Sequence, residues 1–282
     1  MSIVYLNGEF LPDHSACVSV LDRGFIFGDG VYEVIPAYHG KPFRLAEHLA
    51  RLQSNLDAIR ITNPYPIERW HSLLDELVAQ NGGGNLSIYL QITRGAAQRD
   101  HALPANVTPT VFAMANPLQP PEPEDLKNGI KAITAPDDRW LNCHIKAISL
   151  LPNVLLRQKA IDTGATETIL LRNGEATEGA ASNLFIVENN VILTPPNGPY
   201  LLPGITRDLI LELANKAHIS FEEAAIPEQQ LREADEIWIS SSTKEVLPVT
   251  ELDGEPVGDG KPGPMWHKIV DLFQQFKESL RS

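Results

Sequence analysis

The sequence predicts an α+β protein of two domains, and three observations carry that prediction. Stretches of strand-period alternation and of helical periodicity are mixed without the strict strand–helix–strand order of a doubly wound sheet. One proline-rich break, Asn116-Pro117-Leu118-Gln119-Pro120-Pro121-Glu122-Pro123-Glu124-Asp125, divides the pattern. The length, 282 residues, allows one large core or two of ordinary size.

Residues 3–10 alternate around Asn7-Gly8, the dipeptide of a tight hairpin turn. Asp22-Arg23-Gly24 and Gly28-Asp29-Gly30 follow. Their glycine spacing fits neither dinucleotide nor Walker loops, so backbone turns and close packing are the expected use. Residues 31–38 form a strand that ends at His39-Gly40-Lys41-Pro42. Leu45, Leu49, Leu52, Leu56 and Ile59 then recur at helical steps, with His48, Arg51 and Asn55 along one flank. A flank arginine is ordinarily a snorkelling surface residue. A second helix over 67–80 stops at Gly82-Gly83-Gly84. Residues 86–93 and 110–115 are strands, separated by an irregular stretch with Arg94-Gly95 and Arg99-Asp100-His101. The prolines of 116–125 forbid helix and sheet and make a semi-rigid spacer. The domains are therefore 1–116 and 126–282, with 117–125 as the linker.

The second half opens with a strand over 130–135. Leu141, Cys143, Ile145 and Ala147 alternate, which predicts a strand with Asn142, His144 and Lys146 on its other face. The apolar segment 150–156 behind it should pack this strand deep. On an ordinary half-buried strand such a lysine points to water. Held deep, it has a lowered pKa and can act as a neutral amine toward carbonyls, so Lys146 is a Schiff-base candidate. A helix over 151–163, strands over 167–172, 183–187 and 191–194, and a helix opened by Pro203-Gly204-Ile205-Thr206-Arg207 and running to about 217 follow. A strand over 236–240 and an amphipathic helix over 270–280 close the chain.

The net charge of −13 and a pI near 5.0 argue against nucleic acid or anionic membrane as partners. An acidic substrate would need cations placed locally. Cys17 and Cys143 give no disulfide framework and no metal spacing, so no metal is expected and a reducing compartment fits. The N-terminus lacks a basic segment followed by an apolar core, and no apolar run reaches membrane-spanning length. A cytoplasmic soluble protein is expected.

A lysine that holds a carbonyl cofactor needs company. Gly204-Ile205-Thr206 opens a helix, where free N–H groups and the dipole favour a phosphate. Ser242 and Thr243 follow a strand and offer hydroxyls and amides. Either alone is ordinarily plain capping. Glu178, in Thr177-Glu178-Gly179-Ala180-Ala181-Ser182-Asn183, is normally a solvated acid. Buried against a pyridine nitrogen, it would keep that nitrogen protonated and the ring an electron sink.

Together these segments resemble the fold-type IV pyridoxal-phosphate aminotransferases, nearly end to end. The likeness runs through Asp22-Arg23-Gly24, Gly28-Asp29-Gly30-Val31-Tyr32-Glu33 and Glu47-His48-Leu49-Ala50-Arg51-Leu52. It continues in Ile145-Lys146, Thr177-Glu178-Gly179, Ser182-Asn183, Pro203-Gly204-Ile205-Thr206-Arg207 and Ser242-Thr243-Lys244-Glu245-Val246. The resemblance implies two α/β domains with pyridoxal 5′-phosphate between them, in a homodimer. It makes Lys146 the cofactor lysine and proton shuttle, and Glu178 the acid paired with the ring nitrogen. Arg51, Ile205, Thr206, Ser242 and Thr243 become phosphate ligands, and Tyr32 lines the substrate pocket. Arg99 and His101 resemble the carboxylate grip of the D-amino-acid enzymes, with Tyr89 a third member, on a loop that reaches the neighbouring subunit. For that grip to work, Asp100 must turn its carboxylate aside. The activity so implied is transamination of D-amino acids with 2-oxoglutarate, giving a 2-oxo acid and D-glutamate. The alternatives are an L-branched-chain aminotransferase, an aminodeoxychorismate lyase, and a catalytically silent binding or scaffold relative.

Overall fold

The hairpin at Asn7-Gly8 is present in the computed structural model, which describes residues 2–280: β1 (Ile3–Leu6) pairs antiparallel with β2 (Glu9–Pro12). The short helix α1 (Arg23–Phe27) is capped by Asp22, whose carboxylate accepts the Gly24 N–H. Next come β3 (Gly30–Tyr38), β4 (Lys41–Pro42), α2 (Leu45–Ala58), α3 (Ile67–Gln80), β5 (Leu86–Thr93) and β6 (Thr110–Pro117). They form a six-stranded sheet of order β2-β1-β6-β5-β3-β4. β3 and β5 pair antiparallel from Gly30–Thr93 to Ala37–Leu86. Side chains alternate, so Val31, Glu33 and Ile35 share one face and Tyr32 and Val34 the other. The first face is wholly buried in a core with Leu49, Leu52 and Leu56 of α2 and Trp70, Leu73, Leu74 and Leu77 of α3.

The proline-rich stretch is more regular than its composition suggests. β6 runs to Pro117, and α4 (Pro123–Asn128) begins with Pro123 in its first turn. There a missing N–H costs nothing and the fixed φ suits the helix. β7 (Ile130–Pro136), α5 (Leu151–Asp162), β8 (Glu167–Arg172), β9 (Glu175–Gly179), β10 (Asn183–Glu188) and β11 (Val191–Thr194) follow. After them come α6 (Ile205–Lys216), β12 (Phe221–Glu223), β13 (Ile226–Pro227), α7 (Glu228–Glu233), β14 (Glu236–Ser241), β15 (Glu245–Leu252), β16 (Glu255–Pro256) and α8 (Pro264–Ser279). The second sheet has ten strands, ordered β12-β11-β10-β14-β15-β7-β8-β9-β13 with β16 beside β15. Its middle is parallel through β15, β7 and β8. Phe185, Trp238, Ile210 and Trp266 form a core on the side of α6 and α8. The fold class is the α+β class expected.

The chain divides into two units. One runs through Gln119 and takes in Ile145–Leu150; the other holds Pro120–His144 and the chain from Leu151 onward. The lysine segment thus belongs to the first unit, whereas the sequence assigned all of 126–282 to the second domain. Among the described residues, turns and bends replace the strand predicted over 140–147. Leu141 is exposed where alternation put it inside, and Leu151, Val154 and Leu155 of α5 are exposed too. The backbone groups explain why. Cys143 N–H donates to Pro199 O, whereas Lys146 O accepts from Tyr32 N–H and Ile148 N–H donates to Gly30 O. No single ladder partners the whole stretch, so it cannot stay one strand.

Candidate active site

Lys146 lies beside the start of β3. Its carbonyl accepts the Tyr32 N–H at 3.0 Å, Ala147 bridges Val31, and its Nζ stands 4.2 Å from the Tyr32 ring centroid. Lys146 is half-buried rather than deep. Tyr32 stacks on Tyr89 with ring centroids 5.6 Å apart. The register makes this pair: Tyr89 is opposite Val34 and Tyr32 opposite Gln91, so the two rings are diagonal neighbours on one face. The Tyr89 hydroxyl donates to Gln91, and burial pushes its pKa up to about 12.

The opposite face of β3 carries Glu33, which has no exposed surface. His48 Nδ1 lies 2.7 Å from its Oε2, and Arg51 donates from Nε at 2.9 Å and from Nη2 at 2.7 Å. Burial alone would raise the Glu33 pKa, but Arg51 and then His48 outweigh it and hold the group at about 2. His48 is pushed down by burial, against the pull of Glu33, and further by Arg51 and Lys146. A neutral His48 facing an ionised carboxylate carries its proton on Nδ1 and leaves Nε2 an acceptor. Arg51 is therefore not a snorkelling flank residue; His48, Arg51 and Asn55 are all buried.

Arg99 and His101 are exposed on their loop and gather on Phe27. The Arg99 guanidinium carbon is 5.3 Å and the His101 ring 5.4 Å from the Phe27 centroid. Asp100 Oδ1 accepts the Ala102 N–H at 3.2 Å.

In the second unit, Glu178 on β9 is buried and held from three directions. Arg139 Nη1 donates to Oε1 at 2.7 Å; Leu202 N–H and Asn183 Nδ2 donate to Oε2 at 3.0 and 3.3 Å. Burial exceeds the pull of Arg139 and lifts the carboxyl to about 7. Ionising this group therefore opposes folding progressively as pH rises from 4.5 through 7. Arg139 is itself forked onto Asp137, which also pairs with Arg172. Asn183 Nδ2 also donates to Leu202 O, and a Cβ on Gly204 would come 1.8 Å from Asn183 Oδ1. So Asn183 joins Glu178 to the start of α6, and only glycine fits at 204. That helix start has no side-chain cap, which leaves its first amides, at Ile205 and Thr206, for an outside acceptor. Ser242 and Thr243 lie in the tight turn between β14 and β15, beside Ser240, whose hydroxyl is buried and unpaired. Each of these two places offers donors of the kind an oxyanion such as a phosphate takes.

A model of the family amino-transferase class IV matches residues 30–252. The chain belongs to the class IV aminotransferases. It is 44% identical to a D-alanine aminotransferase of Bacillus licheniformis over 96% of this chain and 95% of that one. With a D-alanine aminotransferase of Staphylococcus haemolyticus it shares 41% over the full length of both. Among solved structures, the Escherichia coli branched-chain amino acid aminotransferase aligns with a TM-score of 0.90 at 30% identity, covering 97% of this chain and 93% of that one. A branched-chain aminotransferase of Thermoproteus uzoniensis, solved with norvaline, gives 0.89 at 28%, covering 98% and 95%.

For this class IV aminotransferase, sequence reasoning missed Glu33, Arg139 and Asp137. Glu33 had a signal: strand alternation puts it on the face of Val31 and Ile35, beneath the flank that bears His48 and Arg51. Arg139 had none, because its partner Glu178 is 39 residues away.

The Glu33–Arg51 pair yields a prediction with a defined pH window. Because the folded carboxyl sits near 2 against an ordinary 4.5, its stabilisation is complete above pH 4.5 and is lost as pH falls toward 2. Arg51→Ala strands a buried carboxylate and should cost about 3–5 kcal/mol at pH 7. Urea denaturation should show that deficit shrinking below pH 4.5; a neutral substitution at pH 7 would refute the buried pair.

Proposed function

We propose that the chain is a pyridoxal-phosphate-dependent D-amino-acid aminotransferase. It passes the amino group of D-alanine or another D-amino acid to 2-oxoglutarate and yields a 2-oxo acid and D-glutamate. The observation that carries this reading is the 44% identity to a D-alanine aminotransferase over nearly the whole of both chains.

When bound, pyridoxal phosphate supplies an electron sink for the pair left at Cα as its C–H bond breaks. The chain's own groups have distinct tasks. Lys146 Nζ would hold the cofactor carbonyl and move the proton from Cα. Glu178 would pair with the ring nitrogen, and the bonds from Arg139, Leu202 and Asn183 keep its carboxylate from swinging away. Arg51, the amides of Ile205 and Thr206, and Ser242 and Thr243 hold the phosphate. Tyr32 and Tyr89 line the substrate pocket. Arg99 and His101 grip the substrate carboxylate and so fix its direction. Lys146 removes a hydrogen on its own side, and with the carboxylate fixed, one hand presents that hydrogen.

The protein works as a cytoplasmic homodimer whose Arg99 and His101 serve the neighbouring subunit. Support comes from exposed Val18, Val20, Leu21 and Phe25 before and within α1, an apolar run that wants cover. Both cysteines are free, and no described helix is long and apolar enough to cross a membrane. A branched-chain L-specific enzyme is the second reading, favoured by the TM-score of 0.90 to such structures. That score reflects a shared fold, and the identity there is 30% against 44%.

Mixing the cofactor-loaded protein with D-alanine, L-alanine and L-leucine in turn tests the hand. D-alanine should bleach the cofactor's visible absorbance fastest; faster bleaching by L-leucine gives the case to the branched-chain reading. Lys146→Ala should abolish steady turnover. Borohydride reduction and peptide mapping should label Lys146, and a label on any other lysine refutes its role. Heterodimers of Lys146→Ala and Arg99→Ala chains should recover activity, since one mixed site is then intact. Verified heterodimers without recovery would place the loop in its own subunit's site.

A further inference from the structure

Asp22-Arg23-Gly24 has no part in the function proposed above, yet its arginine is 4% exposed. Arg23 Nε donates to Asp29 Oδ2 at 2.7 Å, and Nη1 donates to the main-chain carbonyl of Asp100 at 2.5 Å. That carbonyl lies between Arg99 and His101. Asp29 is fixed in turn by Arg94, whose Nε and Nη2 reach its two oxygens at 2.8 and 2.9 Å. The loop's entry is tied to the same place. Arg23 N–H donates to Gly95 O, Ala97 N–H donates to Leu21 O, and Asp22 bridges Ala96. Gly95 takes φ +100°, and a Cβ there would come 2.0 Å from Thr108 O.

One helical turn on, Phe27 meets both Arg23 and the loop. The Arg23 guanidinium carbon is 4.7 Å from its centroid, against 5.3 Å for Arg99 and 5.4 Å for His101. Two exposed, rotamer-rich side chains would otherwise have to be ordered when substrate arrives. A guanidinium suits the clamp because its fork meets a carboxylate and a carbonyl at once, which a lysine's single nitrogen does poorly.

Resting on the assignment of Arg99 and His101 as the carboxylate grip, we propose that Arg23 is a positioning residue for that grip. It pins the Asp100 carbonyl to the Asp29–Arg94 pair, while Phe27 aligns the two gripping side chains. Arg23 touches no substrate atom in this scheme; it acts through Arg99 and His101.

The test is a mutant cycle on the cofactor-loaded enzyme with D-alanine as substrate. Arg23→Lys should lower kcat/KM by about ten- to hundredfold, as small misplacements do, with cofactor absorbance retained. In an Arg99→Ala/His101→Ala background the same change should cost no more than about twofold, because residues that act through one another are not additive. Equal losses in the two backgrounds, or no loss in the first, would overturn the inference and leave Arg23 a purely structural residue. If Arg23→Lys does not fold, Arg23→Gln is put through the same cycle, with the same outcomes deciding. If Arg99→Ala/His101→Ala itself keeps full D-alanine turnover, the grip assignment fails first and takes the positioning role with it.

Discussion

An ionised carboxylate with no exposed surface must be paired, and in the first unit Glu33 imposes that constraint on everything around it. Its position on β3 is fixed by strand alternation, and its partners must come from the helix that covers that face. Arg51 and His48 stand one turn apart on α2, so the helix can satisfy the carboxylate only at one register. The same strand carries Tyr32 outward and receives the lysine segment on its backbone. Packing, charge and the candidate amine are thus set by nine residues of β3.

The second unit solves a related problem differently. Glu178 is also buried, but its arginine is shared with Asp137, and Arg172 shares Asp137 in turn. Burial leaves the Glu178 carboxyl near 7 despite Arg139, whereas Arg51 and His48 hold Glu33 near 2. The two buried acids therefore differ in readiness to take a proton: burial prevails at Glu178, whereas Arg51 and His48 together overcome it at Glu33.

Much of the fold was legible wherever a local pattern has one solution. The Asn7-Gly8 hairpin, the leucine stripe of α2 and the strand over 86–93 each follow from a few neighbouring residues. The stretch around Lys146 was misjudged as a strand because alternation says nothing about which partners the backbone will find. Residues up to His144 and from Ile145 answer to different units, which no window of eight residues can reveal. The candidate site residues were picked out by motif order along the whole chain, but their environments were not. Arg51 looked solvated because its partner lies 18 residues away on another element, and Arg139 was invisible for the same reason.

The placement of Ile145–Leu150 has a consequence for how the first sheet is protected. One edge of β3 is paired along its length with β5, and the other meets β4 only at Ala37 and Tyr38. Near Gly30 to Tyr32 that second edge is covered by the lysine segment, through Tyr32 N–H to Lys146 O and Ile148 N–H to Gly30 O. An uncovered strand edge is a template for pairing with another chain. The six residues that carry the amine are therefore also an edge guard, supplied from beyond the first unit's main run. A nascent chain that has reached only Gln119 has all six strands of that sheet but not the piece that closes it.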